Sequence, residues 1–136
     1  LSDAGIAAID VAGSGGTSWS EVERHRANHS FHENVAASFA DWGIPTADAI
    51  QYAAKGASDL PIISSGGLQN GIDIAKSIAL GAIAGGLAGA FLKPATQSVD
   101  AVDQLIRELT AQLRIAMLCS GAKTIAELQE TPLVKE

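Results

Sequence analysis

Three clusters of glycine and hydroxyl residues are the part of this sequence best suited to chemistry. They are Gly13-Ser14-Gly15-Gly16-Thr17-Ser18-Trp19, Ser64-Ser65-Gly66-Gly67-Leu68-Gln69-Asn70-Gly71 and Gly85-Gly86-Leu87-Ala88-Gly89. Glycine lets a backbone turn sharply and approach a ligand with no Cβ in between. Thr17 and Ser18 add hydroxyl donors to the first cluster. The second runs from an apolar segment into a helix start, which points unpaired N–H groups outward and adds the positive end of a helix dipole. Such a turn suits an anion, above all a phosphate. Any one cluster also fits a plain flexible turn; the second and third in order, at compact spacing, favour the phosphate cradle.

Other reactive side chains are less suggestive. Asp10 interrupts an apolar run, and a carboxylate there needs a partner, so it belongs either to a polar network or to a site. His25, His29 and His32 follow one another at spacings of four and three, but Glu21, Glu23 and Glu33 beside them offer no clear ligand geometry, and no metal site is expected. Cys119 lies late in a helical pattern and is expected to be an inert, buried thiol. Trp19 and Trp42 suit either a cover over a ring or an anchor for their segment.

The elements that must position these residues alternate. Ile6–Ala12, Leu60–Ser65 and Ile83–Ala88 are near-continuous apolar runs, as in parallel strands covered on both faces. Pro61 fits the first position of its strand, where a missing N–H is tolerated. Thr46 is expected to cap a helix running to about Lys55, with Gly56 as its left-handed stop. Asn70 caps a second, with Asp73 in its first turn and Gly81 at its end. Ser98 caps a third, whose Val102, Leu105, Ile106, Leu109, Leu113 and Met117 form one apolar stripe. A short helix over Thr124–Gln129 closes the pattern, within a helical region spanning 97–136. Strand–helix alternation with short links marks an α/β fold with a parallel sheet. The exception is residues 19–45, a polar excursion expected to be a long loop on the face where barrels build their sites.

Composition narrows the partners. The 136 residues are 47% hydrophobic, 18% charged and only 4% aromatic, which suits a globular core packed by alanine and branched aliphatics. A net charge of −6 without a basic block argues against nucleic acid or an anionic membrane. The most apolar stretch, Ile78–Leu92, is too short for a bilayer and holds four glycines. One cysteine allows no internal disulfide and fits a reducing, cytoplasmic setting. The chain opens on Leu1 and enters a strand-like pattern at once, which reads as an excerpt of a longer chain with its missing part upstream.

These residues resemble a known family. Asp3-Ala4-Gly5 through Ile9-Asp10-Val11-Ala12-Gly13-Ser14-Gly15-Gly16-Thr17-Ser18-Trp19 is similar to the sixth-strand segment of type 2 isopentenyl diphosphate isomerases. Asp41-Trp42-Gly43-Ile44-Pro45-Thr46, Ser65-Gly66-Gly67, Gly71-Ile72-Asp73-Ile74-Ala75-Lys76 and Ala79-Leu80-Gly81 follow in that family's order. The resemblance spans nearly all of 1–136. It implies the C-terminal strand–helix units, about strands 6–8, of a TIM (β/α)8 barrel that binds FMN. It further implies interconversion of isopentenyl and dimethylallyl diphosphate by reduced FMN acting as acid and base, with Mg²⁺ and NADPH, in a homo-oligomer. Carried onto matching positions, the flavin contacts are Thr17, Gly66, Gly67, Leu68, Ala88 and Gly89. No catalytic residue is assigned, and the metal site is expected outside this chain.

Two positions depart from the family. Gln69 stands where arginine is frequent, Ala90 where arginine or proline-adjacent patterns are common, and Lys76, inside a helix, is the only cation from Gly66 to Leu92. Backbone amides must then carry most of the phosphate binding. The family's basic diphosphate motif and Mg²⁺ carboxylate are expected upstream of Leu1, so the chain alone is expected to be silent and prone to self-association. Another FMN-dependent barrel, such as a 2-hydroxyacid oxidase, is the enzyme alternative, although the His-Gly-Gly-Arg run it needs is not found. A non-catalytic, phosphate-binding half-barrel is the third.

Overall fold

In the computed structural model, which describes residues 4–134, three short strands form one parallel sheet in the order β1-β2-β3. Leu1, Asp3 and the last two residues of the expected 97–136 region lie outside the described residues. The strands are β1 (Ile9–Asp10), β2 (Ile62–Ser64) and β3 (Ala84–Gly85). The ladder of β1 and β2 falls in the middle of their apolar runs, and that of β3 near the start of its own. Ile9 stands opposite Ile62, while Ile63 stands between Asp10 and Ala84. Ile62 and Ser64 are buried, so alternate residues of β2 point to the helices. Asp10, Ile63 and Ala84 share the opposite face, where Asp10 and Ala84 are exposed.

Helices α3 (Thr46–Gly56), α4 (Gly71–Ala79), α6 (Val99–Ser120) and α7 (Ile125–Gln129) agree with the sequence pattern. Asn70, Ser98 and Thr124 cap α4, α6 and α7 through their side chains. Thr46 does not cap α3. Pro45 holds the cap position, and the Thr46 hydroxyl instead donates to the Gly66 carbonyl at 2.6 Å. Gly56 is also not left-handed, since α3 ends on Ala57 with φ −147°.

Two expectations need larger correction. Residues 19–45 are not a plain loop: they hold α1 (Trp19–Arg26) and α2 (Ser30–Ala37), which pack on each other and bury no residue. A further helix, α5 (Gly89–Gln97), begins at the third glycine cluster. Pro94 inside it conceals the helix in the sequence, because proline normally breaks one.

The core has two parts. Ile50, Ile62 and Ala82 join α3 to the sheet, with Val11, Ala53, Ala54 and Leu80 around them. Ala75, Ile78, Ala122 and Leu128 join α4 to the C-terminal helices, with Leu113 and Met117 of α6 against them. Ile106, expected in the α6 stripe, is half-exposed. Cys119 is exposed rather than buried. It lies two positions past Met117, which turns it about 200° away from the packed face.

Candidate functional site

The ends of the three strands make the site. Gly13 N–H donates to the Ser65 carbonyl at 2.9 Å, extending the β1–β2 pairing into the first two glycine turns. Ser14 N–H donates to the Ile44 carbonyl at 2.8 Å, tying the first turn to the segment before α3. The two turns then touch backbone to backbone. A Cβ on Gly66 would lie within 3 Å of Gly13 main-chain atoms, and one on Gly67 within 3 Å of those of Gly15. Both also have positive φ, +100° and +82°. Their glycine requirement therefore comes from turn-on-turn packing, where the sequence suggested close approach to a ligand.

Gly89 is different. Its φ is not positive, and a Cβ there would meet nothing within 4 Å. Thr17, Gly66, Gly67, Leu68, Ala88 and Gly89 all line one cavity of about 810 Å³, together with Gln69, Ala90 and Trp19. That volume falls in the range of small-molecule and cofactor sites. Trp42 lies elsewhere, packed edge-on against Phe39 at 5.6 Å on a neighbouring 730 Å³ cavity that Trp19 also lines.

The free donors around the cavity sit differently from the expected cradle. The three N–H groups of the first turn of α4, and that of Gln69 before it, are already taken. Gly71 N–H donates to Gln112 Oε1 at 2.7 Å, Ile72 and Asp73 N–H to Asn70 Oδ1 at 2.9 Å, and Gln69 N–H to Asp73 Oδ2 at 3.0 Å. The α5 start is open. Ala88 at its cap offers no side-chain bond, and the first turn carries no acidic residue. Among the described residues, the N–H groups of Ala88, Gly89 and Ala90 have no acceptor, nor do those of Gly66 and Gly67. These five amides and the positive end of the α5 dipole form the anion-attracting end of the cavity.

Hydroxyl donors divide in the same way. Ser18 is spent inside the protein, receiving Glu21 N–H and donating to the Ala40 carbonyl at 2.8 Å. Thr17 makes no side-chain bond among the described residues and remains free for a ligand. His25, His29 and His32 lie on α1, α2 and their link, away from the cavity. Among the described residues no three His, Cys, Asp or Glu side chains gather closely enough to hold a metal. None of their helices is long and apolar enough to cross a membrane.

Sequence reasoning missed two features. The α5 start carried a signal, its uncapped Ala88-Gly89-Ala90, that the strand-like reading of Ile83–Ala88 obscured. The other is the role of Asp10. Its Oδ1 accepts Ala12 N–H at 3.1 Å and the Ser65 hydroxyl at 2.5 Å, so it braces the first turn against the second. Ala12 holds φ +40° there, the one positive φ outside glycine among the described residues.

The chain is thus a parallel α/β sheet whose strand-end turns and a following helix start open onto a cavity of cofactor size. The chain belongs to the FMN-dependent dehydrogenase family, whose model matches residues 1–135. It is 47% identical over 133 residues to an isopentenyl-diphosphate delta-isomerase of Rickettsia africae (strain ESF-5), covering 98% of this chain and 39% of that protein. The isopentenyl-diphosphate delta-isomerase of Rickettsia bellii (strain RML369-C) is 47% identical over 131 residues, 96% of this chain and 38% of its own length. The chain thus spans about two fifths of the length of these relatives. Among solved structures, a GMP reductase of Trypanosoma brucei (C318A) aligns with TM-score 0.67 and 26% identity over 96% of this chain and 30% of its own. A lactate oxidase of Pediococcus acidilactici aligns with TM-score 0.64 and 26% identity over 69% of this chain and 27% of its own.

Proposed function

We propose that this chain supplies the phosphate-holding side of the FMN site in an isopentenyl-diphosphate delta-isomerase. The observation that carries this is the gathering of Thr17, Gly66, Gly67, Leu68, Ala88 and Gly89 on one cavity beside five unpaired amides. FMN fits those donors: its phosphate would lie against the Ala88-Gly89-Ala90 and Gly66-Gly67 amides. Thr17 would donate to the flavin, and Leu68, itself buried, would add apolar contact on the cavity lining. The assignment of the strands as about the sixth to eighth of a (β/α)8 barrel rests on two features. Consecutive strand-end turns and a short extra helix are the recurrent phosphate site of that fold, and β2, β3 and α5 have that arrangement.

When bound and reduced, FMN supplies acid–base chemistry at the alkene of isopentenyl or dimethylallyl diphosphate. The residues of this chain bind and orient it. Among the described residues no cation lines the cavity, so the amides would hold the phosphate without a charge-assisted partner, which is typically the weaker arrangement. Mg²⁺ and NADPH belong to this reading only through the isomerase resemblance, and the described residues provide no cluster to hold the metal. The barrel's other strands, a homo-oligomeric assembly and a cytoplasmic setting are parts of the same proposal. A hydroxyacid-oxidase reading finds less support, because none of the three histidines lines the cavity.

Gly89→Val tests the site. A Cβ at position 89 meets nothing within 4 Å, so the circular dichroism spectrum is expected to stay unchanged while FMN affinity, read by flavin fluorescence, falls about 10-fold or more from lost phosphate contacts. Unchanged affinity in the folded variant would place the phosphate elsewhere.

A further inference from the structure

Asp10 stands out in the cavity because, among the described residues, it is the only ionisable side chain lining it. A carboxylate on the same cavity as the anion-attracting end works against bare phosphate, since like charges repel. It also has no cationic partner among the described residues. Yet the carboxylate is held firmly. Both of its protein hydrogen bonds, from Ala12 N–H and from Ser65 Oγ, end on Oδ1. Oδ2 has no donor among the described residues. One oxygen is thus fixed to the two turns, and the other is left as a preorganised, charged acceptor in a cavity otherwise lined by apolar groups, hydroxyls, an amide and backbone N–H groups.

We propose that Asp10 is a ligand-positioning residue whose free oxygen accepts hydrogen bonds from the hydroxyls of a polyol chain ester-linked to the phosphate. A ligand that satisfies both ends of the cavity carries hydroxyl donors next to its phosphate. Inorganic phosphate satisfies one end only, and an ester without hydroxyls leaves the carboxylate desolvated and unpaired, which costs binding energy. The cavity therefore selects polyol phosphates over simple ones. This inference deepens the FMN reading above and rests on it, since the ribityl phosphate of FMN is such a chain.

The test is isothermal titration of the chain with inorganic phosphate and with ribitol 5-phosphate, each with and without Mg²⁺. The native chain is expected to bind ribitol 5-phosphate about 10-fold more tightly than phosphate, the scale of hydrogen bonds to a charged group. Asp10→Asn keeps an oxygen for Ala12 and Ser65 but removes the charge. It is expected to lose most of that preference while binding inorganic phosphate as well as before or better. Asp10→Ala is expected to lose the preference entirely; if it does not fold, the Asn variant decides. A merely structural role would weaken both ligands together, and that result overturns the proposal. So does a preference retained in Asp10→Asn. A phosphate affinity that rises with Mg²⁺ only while Asp10 is present would assign the carboxylate to a metal bridge and overturn it as well. If the native chain binds neither ligand, the FMN reading itself fails, and this inference with it.

Discussion

At the level of single residues, glycines that look alike in sequence do different work. Gly66 and Gly67 have positive φ and no room for a Cβ against the neighbouring turn. Gly66→Ala combines backbone strain of about 1–3 kcal/mol with a clash that must move the Gly13 backbone. The expected outcome is a loss of stability of about 3 kcal/mol or more, measured by urea denaturation. An unchanged midpoint would mean that the turns do not pack as described. Gly67→Val should behave similarly, so it cannot separate a binding defect from a folding one, whereas Gly89→Val can. The sequence showed where glycine clusters lie, and its six expected ligand positions do share a cavity. It did not show which glycines face space and which face another backbone, because that depends on contacts made across about fifty residues of chain. Asp10 was legible as an anomaly, and only its partner Ser65, on the next strand, shows what it braces.

At the level of elements, legibility followed local signals. Helices α4 and α6 were readable because cap, apolar stripe and stop agree, as in Asn70, Ile74, Ile78 and Gly81. The helices missed in the sequence are those whose local signals conflict. In α5 a proline sits inside a glycine-started helix, and in α1 and α2 no residue is buried, so no apolar stripe advertises them. The first turn of α4 adds little to the expected cradle for a related reason. A good cap satisfies the amides an anion would need, and Asn70 with Gln112 satisfies three of them. This separates stability from binding. Asn70→Ala is expected to cost about 1 kcal/mol, read as a lowered thermal midpoint, while leaving FMN affinity within twofold. A large loss of flavin affinity in the folded variant would return the phosphate to the α4 end.

At the level of the whole molecule, the sheet and helices leave much apolar surface uncovered. Ile63 lies on the sheet face opposite the helices, between exposed Asp10 and Ala84. Trp19, Phe31 and Trp42 on the excursion are each at least 70% exposed, as are Leu92 on α5 and Leu118 on α6. Isolated exposed apolar residues are ordinary on a protein surface, but open strand edges beside them invite pairing with another chain. The outer strands β1 and β3 each have one neighbour among the described residues. A closed barrel would pair both edges and fill the open sheet face with side chains. The chain on its own is therefore expected to self-associate at micromolar concentration, seen as a concentration-dependent mass in sedimentation velocity. It is also expected to give background turnover of isopentenyl diphosphate even with FMN, Mg²⁺ and a reductant supplied. Adding a polypeptide that supplies the other strands of the proposed barrel should shift the mass to a defined assembly and bring turnover, because both edges and the open face are then covered in one step. A strictly monomeric chain that turns over isopentenyl diphosphate unaided would show instead that these residues suffice for the site.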